Sequence, residues 1–200
     1  MKRILPVVIA LALIVILVLY YNNRFEYGGV YNPLEYDGNG LTNIKKMLEV
    51  QKDDPDTMSQ TIYKIMDSPD QVVKLYNMLI MGIYNDELNQ EDKETLVELQ
   101  RRLFDDEFKD ENPVDVQIEK VIEEAKALNA KGFAILGSNS NPFMTFGEKS
   151  EYASIESIIY TNVKEPYDKI YREYLLQLDA EKKWRVKGFR KIDEVILVGE

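Results

Sequence analysis

Residues 121–136, VIEEAKALNAKGFAIL, hold the change of period on which the fold turns. Up to Leu128 the apolar residues Val121, Ile122, Ala125 and Leu128 recur at three- and four-residue spacing, the stripe of an amphipathic helix. Gly132 can adopt the left-handed backbone that ends such a helix. Beyond it the spacing falls to two, with β-branched and aromatic residues, which is strand patterning.

Working back from that point, three helix starts carry one punctuation: Asp54-Pro55, Ser68-Pro69 and Asn112-Pro113. Each is a side chain able to cap, followed by a proline suited to the first helical position. Ser68 also has Gln71 three residues on, as in a capping box. Asn89 caps a further helix with Leu96, Leu99, Leu103 and Phe104 on its inner stripe, and Leu41 to Gln51 is a shorter helix. Working forward, Phe133–Leu136, Tyr152–Val163, Lys169–Leu178 and Lys183–Arg190 read as strands, with Asp179–Lys182 as a tight hairpin and Gly137–Lys149 as a long loop. In the third strand Ile170, Tyr174, Leu176 and Leu178 share a face, and in the fourth Trp184 and Val186 do. Helices followed by an antiparallel meander predict an α+β domain with helices on one face of the sheet.

The N-terminus has a different character. Ile4 to Tyr21, ILPVVIALALIVILVLYY, is eighteen residues without charge or amide. At about 1.5 Å per residue it makes roughly 27 Å of helix, enough to cross a bilayer. Pro6 falls in the first turn, where it breaks no hydrogen bond, and Tyr20 and Tyr21 suit the membrane interface. A cleaved secretory signal is the competing reading, since Met1, Lys2 and Arg3 would serve as its basic region. Against it, the run is long for a signal core, and YYNNRFEYGG offers no small-x-small cleavage pair. Lys2 and Arg3 precede the span and only Arg24 closely follows, so the N-terminus is expected in the cytoplasm and the domain outside it. The organisation expected is an anchor over residues 1–24, a juxtamembrane linker with a short helix over 25–53, and an α+β domain over 54–200, helices within 55–130 and strands within 133–198.

Composition narrows the chemistry. There is no histidine and no cysteine, which excludes Ser-His-Asp and Cys-His nucleophiles, imidazole or thiolate metal sites, disulfides and lipidation at cysteine. Setting Lys2, Arg3 and Arg24 aside leaves 22 basic residues against 35 acidic, a net charge of −13 on the domain. Nucleic acid and anionic lipid are unsuited to such a surface. The charge is uneven: Asp86–Glu124 holds fifteen acids and five bases, while Lys182–Lys191 holds six bases and no acid. Solvated helix faces account for the former; the latter is a candidate docking patch.

The stretches SPDQVVKLYN (Ser68–Asn77), YNDEL (Tyr84–Leu88), LFDDEF (Leu103–Phe108), Asn112-Pro113 and YLLQLDAEKKWRVKGF (Tyr174–Phe189) resemble an uncharacterised family of single-pass membrane proteins of Gram-positive bacteria. These motifs are caps and core positions, so they speak to fold more than to activity. The closing strand, hairpin and W-x-V-x-G-F also resemble the last hairpin of nuclear-transport-factor-2-like domains, which implies helices packed into a curved antiparallel sheet as a cone. Enzymes of that superfamily use a pocket carboxylate with a tyrosine or second carboxylate; no such pair can be matched here position by position.

Other motifs fall to simpler readings. Glu35, Asp37, Asn39 and Gly40 fit the start of a calcium loop, but the last ligand position falls on Lys46. Asp53-Asp54-Asp56 are capping and first-turn acids. Asp105-Asp106-Glu107 fall at the end of the Asn89 helix, where acids oppose the dipole. Gly137–Pro142, GSNSNP, offers backbone donors to a phosphate but precedes no helix. Tyr174 and Trp184 could line a pocket, with core packing as the alternative. No catalytic residue, metal or cofactor is expected. The function expected is a membrane-tethered, extracytoplasmic, non-enzymatic binding domain, held in the lipid bilayer through residues 4–21, with an envelope protein or a second copy as partner. The alternative is an enzyme or small-ligand binder using the concave face of the sheet.

Overall fold

The computed structural model describes residues 32–34, 40–164, 168–195 and 197. The anchor over residues 1–24, the linker up to residue 31 and the calcium-loop positions Glu35, Asp37 and Asn39 lie outside them. Among the described residues no helix is long and apolar enough to cross a membrane. All of them but Asn32 fall in one compact unit, Pro33–Glu200.

Among the described residues six helices precede five strands: α1 Gly40–Asp53, α2 Pro55–Ile65, α3 Pro69–Ile83, α4 Gln90–Arg101, α5 Asp106–Glu111 and α6 Val114–Asn129, then β1 Ile135–Ser140, β2 Met144–Phe146, β3 Tyr152–Thr161, β4 Lys169–Leu178 and β5 Trp184–Lys191. The protein is α+β, as the period change at Gly132 predicts; Gly132 has φ +74°. The sheet is antiparallel in the order β1-β3-β4-β5, with β2 pairing β3 on the same edge as β1.

Helix starts follow the chemistry of their caps. The Asp54 carboxylate accepts from the Thr57 N–H at 3.0 Å and from its hydroxyl at 2.7 Å, and Asn89 accepts from the Asp92 N–H at 2.9 Å. Ser68 stands at the cap of α3 but gives its hydroxyl to the Asp70 carboxylate, so the capping box with Gln71 does not form. At Asn112-Pro113 the start is one residue later than expected. Pro113 is the cap of α6, while Asn112 closes α5 and donates from its side chain to the Phe108 carbonyl at 2.9 Å.

Two expectations are corrected. The acids Asp105, Asp106 and Glu107 do not end a helix; they open the six-residue α5, with the Asp105 carboxylate accepting from the Phe108 N–H at 2.7 Å. There they favour the dipole. Nor is Gly137–Lys149 all loop: β1 runs to Ser140, and Met144–Phe146 form β2 against Tyr152–Ser154. Leu136 is the extra residue of a bulge between Ile135 and Gly137, and it is 64 % exposed.

Helix α3 is the axis of the core, with ten of its fifteen residues buried. It packs against α1, α2, α4 and α6 and against β1, β3 and β5. Val72, Leu75 and Leu79 are fully buried and meet the inner sheet face and neighbouring helices that contribute Ile44, Met58, Leu96, Ile155 and Leu176. Each such side chain contributes about 1.5–3 kcal/mol by leaving water. The outer edge of β5 is held by the helical layer: Trp184 N–H donates to the Met66 carbonyl at 2.8 Å, and Val186 exchanges hydrogen bonds with Leu103 and Asp105 at 2.7 and 3.0 Å. That covering removes an open edge that could pair with another chain.

Candidate ligand cavity

A single polar residue on α3 ties the helix to three strands. The Asn77 side-chain amide donates to the Ser157 hydroxyl at 3.0 Å and accepts from the Tyr174 hydroxyl at 2.5 Å. Ser157 in turn donates to the Asn139 carbonyl at 3.0 Å, and Ser140 donates to Ser157 at 3.1 Å. Asn77, Ser157 and Tyr174 are all buried, so each polar group needs a protein partner, and the network provides it.

One residue earlier on the same helix the situation reverses. Tyr76 is 3 % exposed, yet among the described residues none hydrogen-bonds its hydroxyl. It lines a cavity of about 350 Å³ bounded by α3, α4, α5, α6 and the ends of β4 and β5. Gln100 of α4, 4 % exposed, also lines the cavity, and no described residue bonds its side-chain amide. Arg172 of β4 lines it too, its guanidinium carbon 5.0 Å from the centre of the Phe189 ring. No carboxylate among the described residues lies within ion-pair distance of Arg172.

The walls are aromatic. Phe104 and Phe108 are 4.6 Å apart between ring centres, and Phe189 stands 5.9 Å from Tyr76 and 6.2 Å from Phe108. Phe189, 43 % exposed, lies on the cavity side because β5 is irregular: Leu176 pairs with Val186 but Leu175 with Gly188, so the alternation shifts by one and Phe189 comes opposite Tyr174. Gly188 marks the bulge, as glycines inside strands often do. At the mouth sit Glu111, Lys120 and Glu124 with the exposed Val116. Arg101 holds the α5–α6 wall in place through Gln117 at 2.5 Å and through the Asn112 carbonyl.

Burial and neighbouring groups keep the cavity tyrosines protonated. Burial, then the neighbouring Tyr174, pushes the Tyr76 hydroxyl far above the usual phenol range. Burial, then the facing Glu124 carboxylate, does the same to Tyr84, another lining residue. A phenol so shifted stays neutral and can donate a hydrogen bond but does not serve as a base. The interior of the cavity therefore presents a guanidinium, phenol hydroxyls and an amide over aromatic rings, a set suited to holding an acceptor-rich ligand.

The residues singled out from sequence lie elsewhere. Tyr174 is fully buried behind Tyr76, its ring centre 5.3 Å away, with its hydroxyl committed to Asn77. Trp184, 8 % exposed, packs at the α2–α3 turn where its backbone bonds Met66. Neither is among the side chains lining this cavity. The basic run Lys182–Lys191 is largely neutralised within the fold. Lys183 reaches Asp67 at 2.6 Å and lies 3.7 Å over the Tyr63 ring; Arg185 reaches Asp179 at 2.8 Å; Lys187 pairs with Asp105 and Glu107; and Arg190 pairs with Glu173 at 2.5 Å. A second depression of about 500 Å³ beside the hairpin is lined by these ion pairs, Asp105, Glu107, Asp179, Arg185 and Lys187 among them. Among the described residues no group of three acidic side chains is placed to hold a metal.

No curated protein and no solved structure matches the chain. A family described as a domain of unknown function, DUF6715, matches residues 1–189, nearly the whole length, and the chain belongs to that family.

Proposed function

We propose that this protein is a membrane-tethered, extracytoplasmic, non-enzymatic binding domain, anchored in the bilayer through residues 4–21 with its N-terminus in the cytoplasm of a Gram-positive cell. The observation that carries the binding reading is the cavity beside α3, lined by Tyr76 and Gln100, whose side-chain polar groups no described residue hydrogen-bonds. Polar groups inside a fold are almost always satisfied, so ones that open on a cavity without a protein partner take theirs from its occupant, water or ligand. The tether is supported by the uncharged eighteen-residue run.

The nuclear-transport-factor-2-like cone is part of the same proposal, supported by helices on the inner face of an antiparallel sheet with a cavity between the two layers. Contact with an envelope protein or a second copy is supported by the β1–β2 edge, where Leu136, Met144, Phe146 and Phe143 are 64, 67, 46 and 41 % exposed. That clustering of large apolar side chains exceeds what scattered surface residues need. The basic run, internally paired, is not the proposed contact.

A second reading, a cavity enzyme, draws on Tyr84 facing Glu124. Glu124 is exposed at the mouth rather than enclosed within the cavity.

Topology is the testable core of the proposal. Because the chain has no cysteine, Glu123→Cys on the exposed side of α6 creates a unique label site. An impermeant maleimide should label it in intact cells. Labelling only after lysis would refute the extracytoplasmic placement, and recovery of the chain in the soluble fraction would refute the tether.

A further inference from the structure

Three features compete for a further role. The ion-paired depression at the hairpin satisfies its own charges, and the apolar β1–β2 edge carries nothing that identifies its occupant. The cavity beside α3 differs, because its chemistry constrains what enters.

Every polar group at its floor can donate. Arg172, which also meets the Tyr174 hydroxyl, offers a planar fork with no ion-pair partner among the described residues, Tyr76 a neutral hydroxyl, and Gln100 an amide. Arg172 is a donor only, and with the hydroxyl and amide beside it favours a ligand that brings acceptors; a guanidinium fork matches a carboxylate with two parallel hydrogen bonds. The rings of Phe104, Phe108 and Phe189 select a flat apolar body, which gains by stacking edge or face against them. Glu111 and Glu124 at the mouth, against the one cation Lys120, leave the entrance net negative, which disfavours a second negative group on the ligand. About 350 Å³ lies at the lower end of small-molecule sites and accommodates one or two fused rings, not a lipid tail or a peptide.

We infer that this cavity binds a small aromatic monocarboxylate, with the carboxylate on Arg172, Tyr76 and Gln100 and the ring among Phe104, Phe108 and Phe189. The inference rests on the binding reading above but not on membrane topology. A maleimide result against the extracytoplasmic placement would leave it standing, and loss of binding would leave the topology standing.

The test uses the full-length chain in detergent micelles and isothermal titration with 1-naphthoate, its neutral amide 1-naphthamide and 1-naphthyl phosphate. Val116→Trp, which places an indole at the mouth from an exposed position, measures what micelle partitioning contributes. The naphthoate is expected to bind at least about ten-fold more tightly than the amide, the size of a charge-assisted hydrogen bond, and more tightly than the doubly charged phosphate. Arg172→Gln should erase the preference for naphthoate over the amide, and Val116→Trp should abolish binding of both. If Arg172→Gln fails to fold by circular dichroism, Gln100→Leu provides the independent arm, weakening naphthoate more than naphthamide. Equal binding of acid and amide, tighter binding of the phosphate, binding that survives Val116→Trp, or no binding of naphthoate would each overturn the assignment.

Discussion

Tyr76 and Asn77 are neighbours on one helix, both buried, both polar, and they meet opposite fates. Asn77 turns toward the sheet and finds the Ser157 and Tyr174 hydroxyls; Tyr76 faces the gap between sheet and helical layer with no described residue bonding its hydroxyl. The first is a polar staple that fixes how α3 lies on β3 and β4. The second is a donor held ready. The difference teaches that burial alone does not separate structural from functional polar residues; whether the fold supplies the partner does.

The contrast can be broken from beneath. Leu79, fully buried on the same helix, supports both regions, and Leu79→Ala should destabilise by roughly 2–5 kcal/mol through lost burial and a residual cavity, read in urea unfolding of the full chain. Asn77→Ala removes the staple alone. It leaves two buried hydroxyls short of a partner and should destabilise by roughly 1–3 kcal/mol, without changing occupancy of the cavity by naphthoate. Asp54→Ala, far from both regions, removes the α2 cap and should shift stability by about 1 kcal/mol, with no change at either site.

Acid and alkali sharpen the same contrast by different routes. Burial, the first cause in each case, raises the ionisation of Tyr76, Tyr84 and Tyr174 above that of a free phenol. The unfolded chain therefore releases those protons first. Their contribution is full below about pH 10, the unfolded tyrosine value, and is lost as pH rises beyond it. Tyr76→Phe should flatten that alkaline decline in a pH series of denaturation midpoints. At the other end Glu173 is held low, first by the Ser154 hydroxyl and then by Arg190. Its contribution is present above the ordinary glutamate range and fades as pH falls below about 4. The smallest effect is expected on the outer edge, where Leu136→Ser should stay within about 0.5 kcal/mol, since that residue is mostly exposed.

Local signals carried the helices and most strands. Asp54, Asn89 and Gly132 each act through the few residues around them, and such contacts are written in consecutive letters. The six-residue α5 is too short to show a period, so its opening acids looked like the end of α4. GSNSNP looked like loop because its polar residues hide a ladder whose partner, β3, is fifteen or more residues away in sequence. The cavity was partly legible. On the apolar face Ile170-Tyr174-Leu176-Leu178, position 172 is arginine, and among Leu96, Leu99 and Leu103 stands Gln100; polar residues on inward stripes were its trace. That they converge, and that a bulge at Gly188 turns Phe189 toward them, depends on packing that no local window contains.

The comparison between Tyr76 and Tyr174 tests the account most directly, because tyrosine to phenylalanine removes only a hydroxyl. In paired urea unfolding, Tyr174→Phe should lower stability by roughly 1–3 kcal/mol by leaving the Asn77 carbonyl unpaired, while Tyr76→Phe should fall within about 0.5 kcal/mol of the parent. Equal losses, or a larger loss at Tyr76, would mean that its hydroxyl has a structural partner and that the cavity is not a site kept open for a ligand.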